Sequence, residues 1–241
     1  MMEKATNATL VAHPRAGRHL VNPAKLWHGA GAVYGADLPK LFGFMLPVPE
    51  RRVLIRHHQE TLDIGRRTLT FFDSPGHAKH HFTILDPIEH ALYAGDAVGV
   101  RYVRGFTGWD FEFVMPSTSP IDFDPVAVHR TLSMLEQVPF DTVYHAHFGA
   151  SPKDYAIAET RRCADAFADL IGQLYRPDIA QAEIIETLRN WIAADLRRQG
   201  HEPGELAVLD IDVVLDAMGL IHFQSQQNRR RQDGQQAASS Q

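Results

Sequence analysis

His77, Asp96 and His147 are the residues of this chain best suited to chemistry. Each directly follows a segment that reads as a β-strand. His77 ends Leu69-Thr-Phe-Phe-Asp-Ser-Pro-Gly-His77, and Asp96 ends Leu92-Tyr-Ala-Gly-Asp96. His147 lies in His145-Ala-His147-Phe-Gly149, after a strand predicted from Phe140 to Tyr144. Each sits in or beside a glycine-bearing turn that lets the backbone bend toward an ion. Imidazoles and carboxylates are the donors hydrolytic zinc takes at about 2.0–2.2 Å, with one position left for water. A carboxylate can also bridge two ions about 3.5–4 Å apart. Singly, each residue is an ordinary turn former or hydrogen-bonded turn histidine. The ordered triple is what points to metal.

The elements that must position them follow from pattern and punctuation. Ala8-Thr-Leu-Val-Ala12 predicts a short buried strand, and Asn22-Pro23 predicts a helix start running through Leu26 and Trp27. Residues 36–50, with three prolines, predict an irregular loop. Val53-Leu-Ile55 and Arg67 to Phe72 read as strands, with a turn at Leu62-Asp-Ile-Gly65. His81–Leu85 and Ala91–Ala94 pair across an Asp86-Pro87 turn. The aromatic segment 99–123 (Tyr102, Phe106, Trp109, Phe111, Phe113) either walls a cleft or covers the core. Asp124-Pro125 starts a helix with Val128, Leu132 and Leu135 on one face.

Ser151-Pro152-Lys153-Asp154 predicts the cap of a long helix striped by Cys163, Phe167, Leu170 and Leu174. Two more helices follow, from Asp178 to a Gly200 stop and from about Leu209 to His222. The segment from Gln224 has no core former and reads as a disordered tail. The expected division is therefore a sheet-rich domain at 1–150, a helical extension at 151–223 and a polar tail at 224–241.

Bulk properties narrow the function classes. A 44% apolar and 22% charged chain is an ordinary soluble protein with a sizeable core. A net charge of −5 and a pI near 6.3 argue against nucleic acid or an anionic membrane as partner. No apolar run approaches the roughly 20 residues that span a bilayer, and Met1–Leu20 lacks the apolar stretch of a signal peptide. The single cysteine, Cys163, fits a reducing cytoplasm.

Ser74-Pro75-Gly76-His77 with His81 four residues on, Ala94-Gly95-Asp96, and His145-Ala-His147-Phe-Gly149 together resemble the metallo-β-lactamase superfamily. The resemblance covers about residues 7–150. It implies an α/β (α+β) fold, the αβ/βα sandwich with a metal site at the edge of two sheets, here incomplete and followed by helices. Carried over residue by residue, His77 binds the first metal, Asp96 bridges both and acts as the catalytic carboxylate, and His147 binds the second. His81 matches the later histidine of Pro-Gly-His-x-x-x-His, which supports the ligands from behind. His145 is open between such a supporting partner, a substitute ligand and a hydrogen-bonded strand histidine. The implied cofactor is zinc, one or two ions, with iron or manganese as alternatives.

One part of the family pattern has no match. Members carry His-x-His-x-Asp-His ahead of these elements, and none of His13, His19, His28, His57 or His58 has that spacing. Ala8 to Leu20 resembles the strand and helix that normally follow that motif. The expectation is an N-terminally incomplete chain, truncated or mis-started, lacking the first metal-binding loop and the first strands. Each ion would keep one imidazole and a share of one carboxylate, fewer than the three protein ligands usual for zinc. Missing strands would also leave a sheet edge and an apolar face open.

Three readings result. The first is a metal-dependent hydrolase whose metal-bound hydroxide attacks an ester, thioester, lactone or amide bond of a small molecule, weakly active or inactive as this chain. The second is a metal-free, non-catalytic binding or scaffold member of the same fold. The third is a mononuclear enzyme drawing a ligand from another subunit or from His145. The apolar stripes on the last three helices leave open packing on the cleft and a homodimer interface. His57-His58 reads as an exposed turn pair, Asp73 as a turn former, and Arg229-Arg230-Arg231 as a solvated run.

Overall fold

The computed structural model describes residues 2–239. Strand β1 (Leu10–Ala12) pairs in parallel with β2 (Val53–Ile55), Leu10 opposite Val53. Helices α1 (Pro14–Val21), α2 (Ala24–Tyr34) and α3 (Leu38–Phe42) lie between them in sequence. Proline at the first position suits α1, whose opening N–H from Arg15 is accepted by His13 Nδ1 at 3.1 Å. Asn22 Oδ1 accepts the N–H of Ala24 at 3.3 Å, at the start of the helix the Asn-Pro pair predicts. The expected loop at 36–50 holds α3 and two single 3₁₀ turns.

The main sheet has six strands: β3 (Thr61–Ile64), β4 (Arg67–Asp73), β5 (Phe82–Asp86), β6 (Ala91–Gly95), β9 (Thr142–His145) and β10 (Ala150–Pro152). Between β6 and β9 in the chain, β7 (Val100–Tyr102) and β8 (Phe113–Met115) form a separate hairpin. In the main sheet β10, β9, β6, β5, β4 and β3 lie side by side in that order. All pairs are antiparallel except β6 with β9. Strands β4, β6 and β9 therefore point the same way and end at one edge. The segments that follow those ends carry His77, Asp96 and His147.

Leu85, Leu92 and Val143 share one face of the sheet and are buried. They join a single apolar core with α5 (Pro125–Glu136), α6 (Lys153–Leu174), α7 (Gln181–Arg198) and α8 (Asp210–Ser239). The register aligns Phe71, Ile84, Tyr93 and Tyr144 on the opposite face. Phe71 is covered, but Tyr93 and Tyr144 are 43% and 41% exposed and stack on each other at 5.3 Å. That end of the face is open.

The aromatics of 99–123 mostly pack. Tyr102, Trp109, Phe111 and Phe113 are buried in the core, with Tyr102 stacked on Phe113 at 4.7 Å. Phe106, on the short α4 (Arg104–Thr107), remains partly exposed and stacks on Phe148 at 4.5 Å.

Two local expectations are corrected. Ser151 does not cap α6; it lies in β10 and its hydroxyl goes to His145 instead. The segment from Gln224 is not a disordered tail, because α8 runs on through Ser239; Ser240 and Gln241 lie outside the described residues. Gln, Ala and Arg are good helix formers, and Gln224 donates to Asn228 one turn on at 3.1 Å. With its first half anchored in the core by Val213, Ala217 and Leu220, the helix propagates into polar sequence.

Candidate metal centre

The ends of β4, β6 and β9 at one sheet edge bring the three side chains together. The parallel pairing of β6 with β9 sets Gly95 opposite His145, and Ala146 N–H donates to Gly95 O at 3.0 Å. Asp96 and His147 thus leave adjacent strands at the same level. His77 arrives from β4, two strands away, through Ser74-Pro75-Gly76. The Asp96 carboxylate lies between two imidazoles: Oδ2 is 3.7 Å from His77 Nε2 and Oδ1 is 3.6 Å from His147 Nε2. Both separations exceed hydrogen-bond length. Asp96 Oδ1 is buried and has no hydrogen-bond partner among the described residues.

A buried, unpartnered carboxylate oxygen is costly unless a cation satisfies it. It lies among the hard oxygen and imidazole donors that zinc, iron and manganese accept. The donor set therefore fits a carboxylate shared between two ions, each ion also taking one histidine. It does not close either site. Among the described residues, no group of three or more His, Cys, Asp or Glu is placed to hold one ion.

His77 and Asp96 are held from behind. His77 Nδ1 donates to Ser117 O at 2.9 Å, so the neutral ring presents an unprotonated Nε2 to Asp96. The loop before it is clamped on α5: Thr131 Oγ1 donates to Pro75 O at 2.6 Å and Asp124 N–H to Gly76 O at 2.9 Å. Gly76, at φ 138°, lies directly against the Val128 backbone, where a Cβ has no room.

His81 Nε2 accepts the Asp96 N–H at 3.2 Å. Burial, reinforced by the neighbouring His77, pushes its pKa down to about 4, so the ring remains a neutral acceptor. Gly95, at φ 54°, makes room for that ring, which a Cβ would strike.

His145 is buried with both nitrogens engaged, Nδ1 donating to Gly99 O at 2.8 Å and Nε2 accepting from Ser151 Oγ at 3.0 Å. It has no free lone pair for a metal. Nor does it share a face with His147. Strand β9 ends at His145, so the two-residue alternation stops there and Phe148, at φ 68°, turns the chain.

Other histidines and acids sort into local roles. His13 Nε2 is 3.0 Å from Asp73 Oδ1, and His58 Nδ1 accepts the Asp73 N–H at 3.1 Å. Cys163 is buried, and burial pushes its thiol up to about 12.

The sequence reading missed Asp212, near the start of α8. Burial and then its charge raise the pKa of Tyr102 and Tyr34, and its own pKa is raised chiefly by burial. Acidic residues at a helix start are read by default as dipole partners, and no local signal separates Asp212 from that role.

No protein-family model and no curated protein sequence matches the chain. Solved structures do. An archaeal metallo-β-lactamase superfamily protein from Sulfolobus tokodaii aligns at a TM-score of 0.59 and 19% identity, covering 91% of this chain and 72% of its own. A metallo-β-lactamase family protein from Thermus thermophilus aligns at 0.61 and 16% identity, covering 93% and 69%. At such identities the likeness concerns the path of the backbone. Together with the strand order and the converging His77, Asp96 and His147, it establishes that this chain has the metallo-β-lactamase fold.

Proposed function

We propose that the chain carries part of the centre of a metal-dependent hydrolase acting on an ester-, thioester- or lactone-type bond of a small molecule. The observation that carries this is the Asp96 carboxylate, set between two imidazole nitrogens, with its Oδ1 buried and without a hydrogen-bond partner among the described residues. His77 and His147 would each hold one ion and Asp96 would be shared; zinc is the leading candidate, with iron or manganese as alternatives. Metal of this kind lowers the pKa of a coordinated water to near 7 and polarises a carbonyl. The chain's own residues supply orientation. Ser117 O keeps the His77 proton on Nδ1, and His81 holds the Asp96 backbone.

The donors present leave each ion short of three protein ligands, which predicts weak metal retention and weak turnover. That shortfall also favours the second reading, a metal-free binding or scaffold member of the fold. The chain's net charge of −5 supports a small-molecule ligand over nucleic acid in either case.

The test is hydrolysis of an ester, thioester and lactone panel by purified protein with zinc, iron or manganese supplied. Slow turnover that disappears in Asp96→Ala supports the hydrolase. Turnover unchanged in Asp96→Ala, or none with any metal, contradicts it, and the second of these outcomes leaves the scaffold.

A further inference from the structure

We infer that α8 is part of the scaffold of this centre, with Asp216 and Gly219 acting as positioning residues that fix the orientation and tautomer of His77. The link runs through the segment between β8 and α5. Residues 116–123 form no helix or strand, so their backbone is held in place only by what they touch. In the middle of the segment the hold is α8. Asp216 Oδ1 accepts the Thr118 N–H at 2.7 Å and lies 3.0 Å from Thr118 Oγ1, which is also 2.9 Å from Asp216 O. Thr118 and Asp216 are both buried.

One helical turn on, Gly219 lets the same backbone lie directly against the helix. A Cβ there would come within 2.5 Å of Thr118 O and 2.7 Å of Ser119 O. Asp216 and Gly219, three residues apart, share a helix face and form one cradle. The peptide that precedes Thr118 carries Ser117 O, the acceptor of the His77 Nδ1 proton at 2.9 Å. The Lys79–Asp122 pair further along is exposed and holds only the far end.

A carbonyl oxygen can only accept, so wherever this cradle puts Ser117 O, the neutral His77 ring must protonate Nδ1 and leave Nε2 bare toward Asp96. Displacing the cradle releases that constraint. The inference rests on His77 as a donor to the centre proposed above, but its first readout needs no metal.

The experiment is ¹⁵N–¹H correlation of the imidazoles of the whole chain in alkaline buffer, where the rings are neutral. The His77 signals are assigned by their absence from His77→Gln, and folding is checked by thermal melt. Wild type is expected in the Nδ1–H tautomer. Asp216→Asn, whose amide oxygen still accepts from Thr118, is expected to keep it. Asp216→Ala and Gly219→Ala are expected to shift His77 to mixed tautomers while remaining folded. A second readout is zinc affinity by chelator competition, expected to fall roughly 10-fold or more in both disruptive variants and little in Asp216→Asn.

Should Asp216→Ala not fold, Gly219→Ala decides alone. A folded Gly219→Ala or Asp216→Ala with the wild-type tautomer overturns the inference, as does an Asp216→Asn spectrum matching the alanine variant. Wild-type protein that takes up no zinc speaks against the metal reading and leaves the tautomer result to stand by itself.

Discussion

Asp96 is gripped at its backbone and left free at its carboxylate. His81 accepts its N–H at 3.2 Å, while Oδ1 has no partner among the described residues. The grip depends on Gly95, which combines φ 54° with contact against the His81 ring. Gly95→Ala is therefore expected to destabilise the fold by about 1–3 kcal/mol and to lower zinc affinity with it. Urea melts and a zinc titration of the variant check both. The convergence of His77, Asp96 and His147 could be anticipated from sequence because each follows a strand and has a glycine within two residues. Asp212 and Asp216 could not be. Asp216 meets Thr118 across 98 residues of chain, and no local pattern announces a pairing of that span.

Elements read well where punctuation is strong. Asp124 caps α5 as Asp-Pro predicts, its Oδ1 accepting N–H groups from Val126 and Ala127 at 3.0 and 3.1 Å. Asp124→Ala should cost about 0.5–2 kcal/mol, read by thermal or urea unfolding, and should also loosen the adjacent Pro-Gly-His loop. Ser151 was misread because its hydroxyl has two possible employments, a helix start and a buried imidazole, and only the tertiary fold chooses the second. The α6–α7 packing hides a further pairing. Asp195, buried on α7, accepts from Arg162 Nη1 and Nη2 at 2.8 and 2.7 Å. Asp195→Ala removes that pairing but leaves the half-exposed guanidinium its hydrogen bonds to Glu159, and should destabilise by about 1–2 kcal/mol in urea unfolding.

At the scale of the molecule, the helices after β10 belong to the same core as the sheet, and α8 reaches back to the segment that orients His77. Its polar second half was unreadable because composition reports the absence of core formers and not the cooperativity of a helix already anchored. Burial in that core gives Asp216 a folded pKa of about 7 against an ordinary 3.8. The folded protein then keeps this proton where the unfolded chain has released it, so the group's contribution to stability falls as pH rises from about 4 to about 7. His81 runs oppositely, its contribution rising with pH between about 4 and 6.5. Comparison with Asp216→Asn isolates the first effect. The stability of the variant relative to wild type should grow through that window, by up to about 1.4 kcal/mol per pH unit, and level off above it. Urea unfolding across the pH range measures it.

Asp96 would serve the ions of both His77 and His147 at once. Zinc affinity of wild type, His77→Ala, Asp96→Ala and His147→Ala, measured by chelator competition, tests this most directly. The shared carboxylate predicts that Asp96→Ala weakens zinc binding more than either histidine variant, and by more than the roughly 10–100-fold that loss of an outer partner costs. An Asp96→Ala protein that binds zinc as wild type does, or a wild type that binds none, would contradict it.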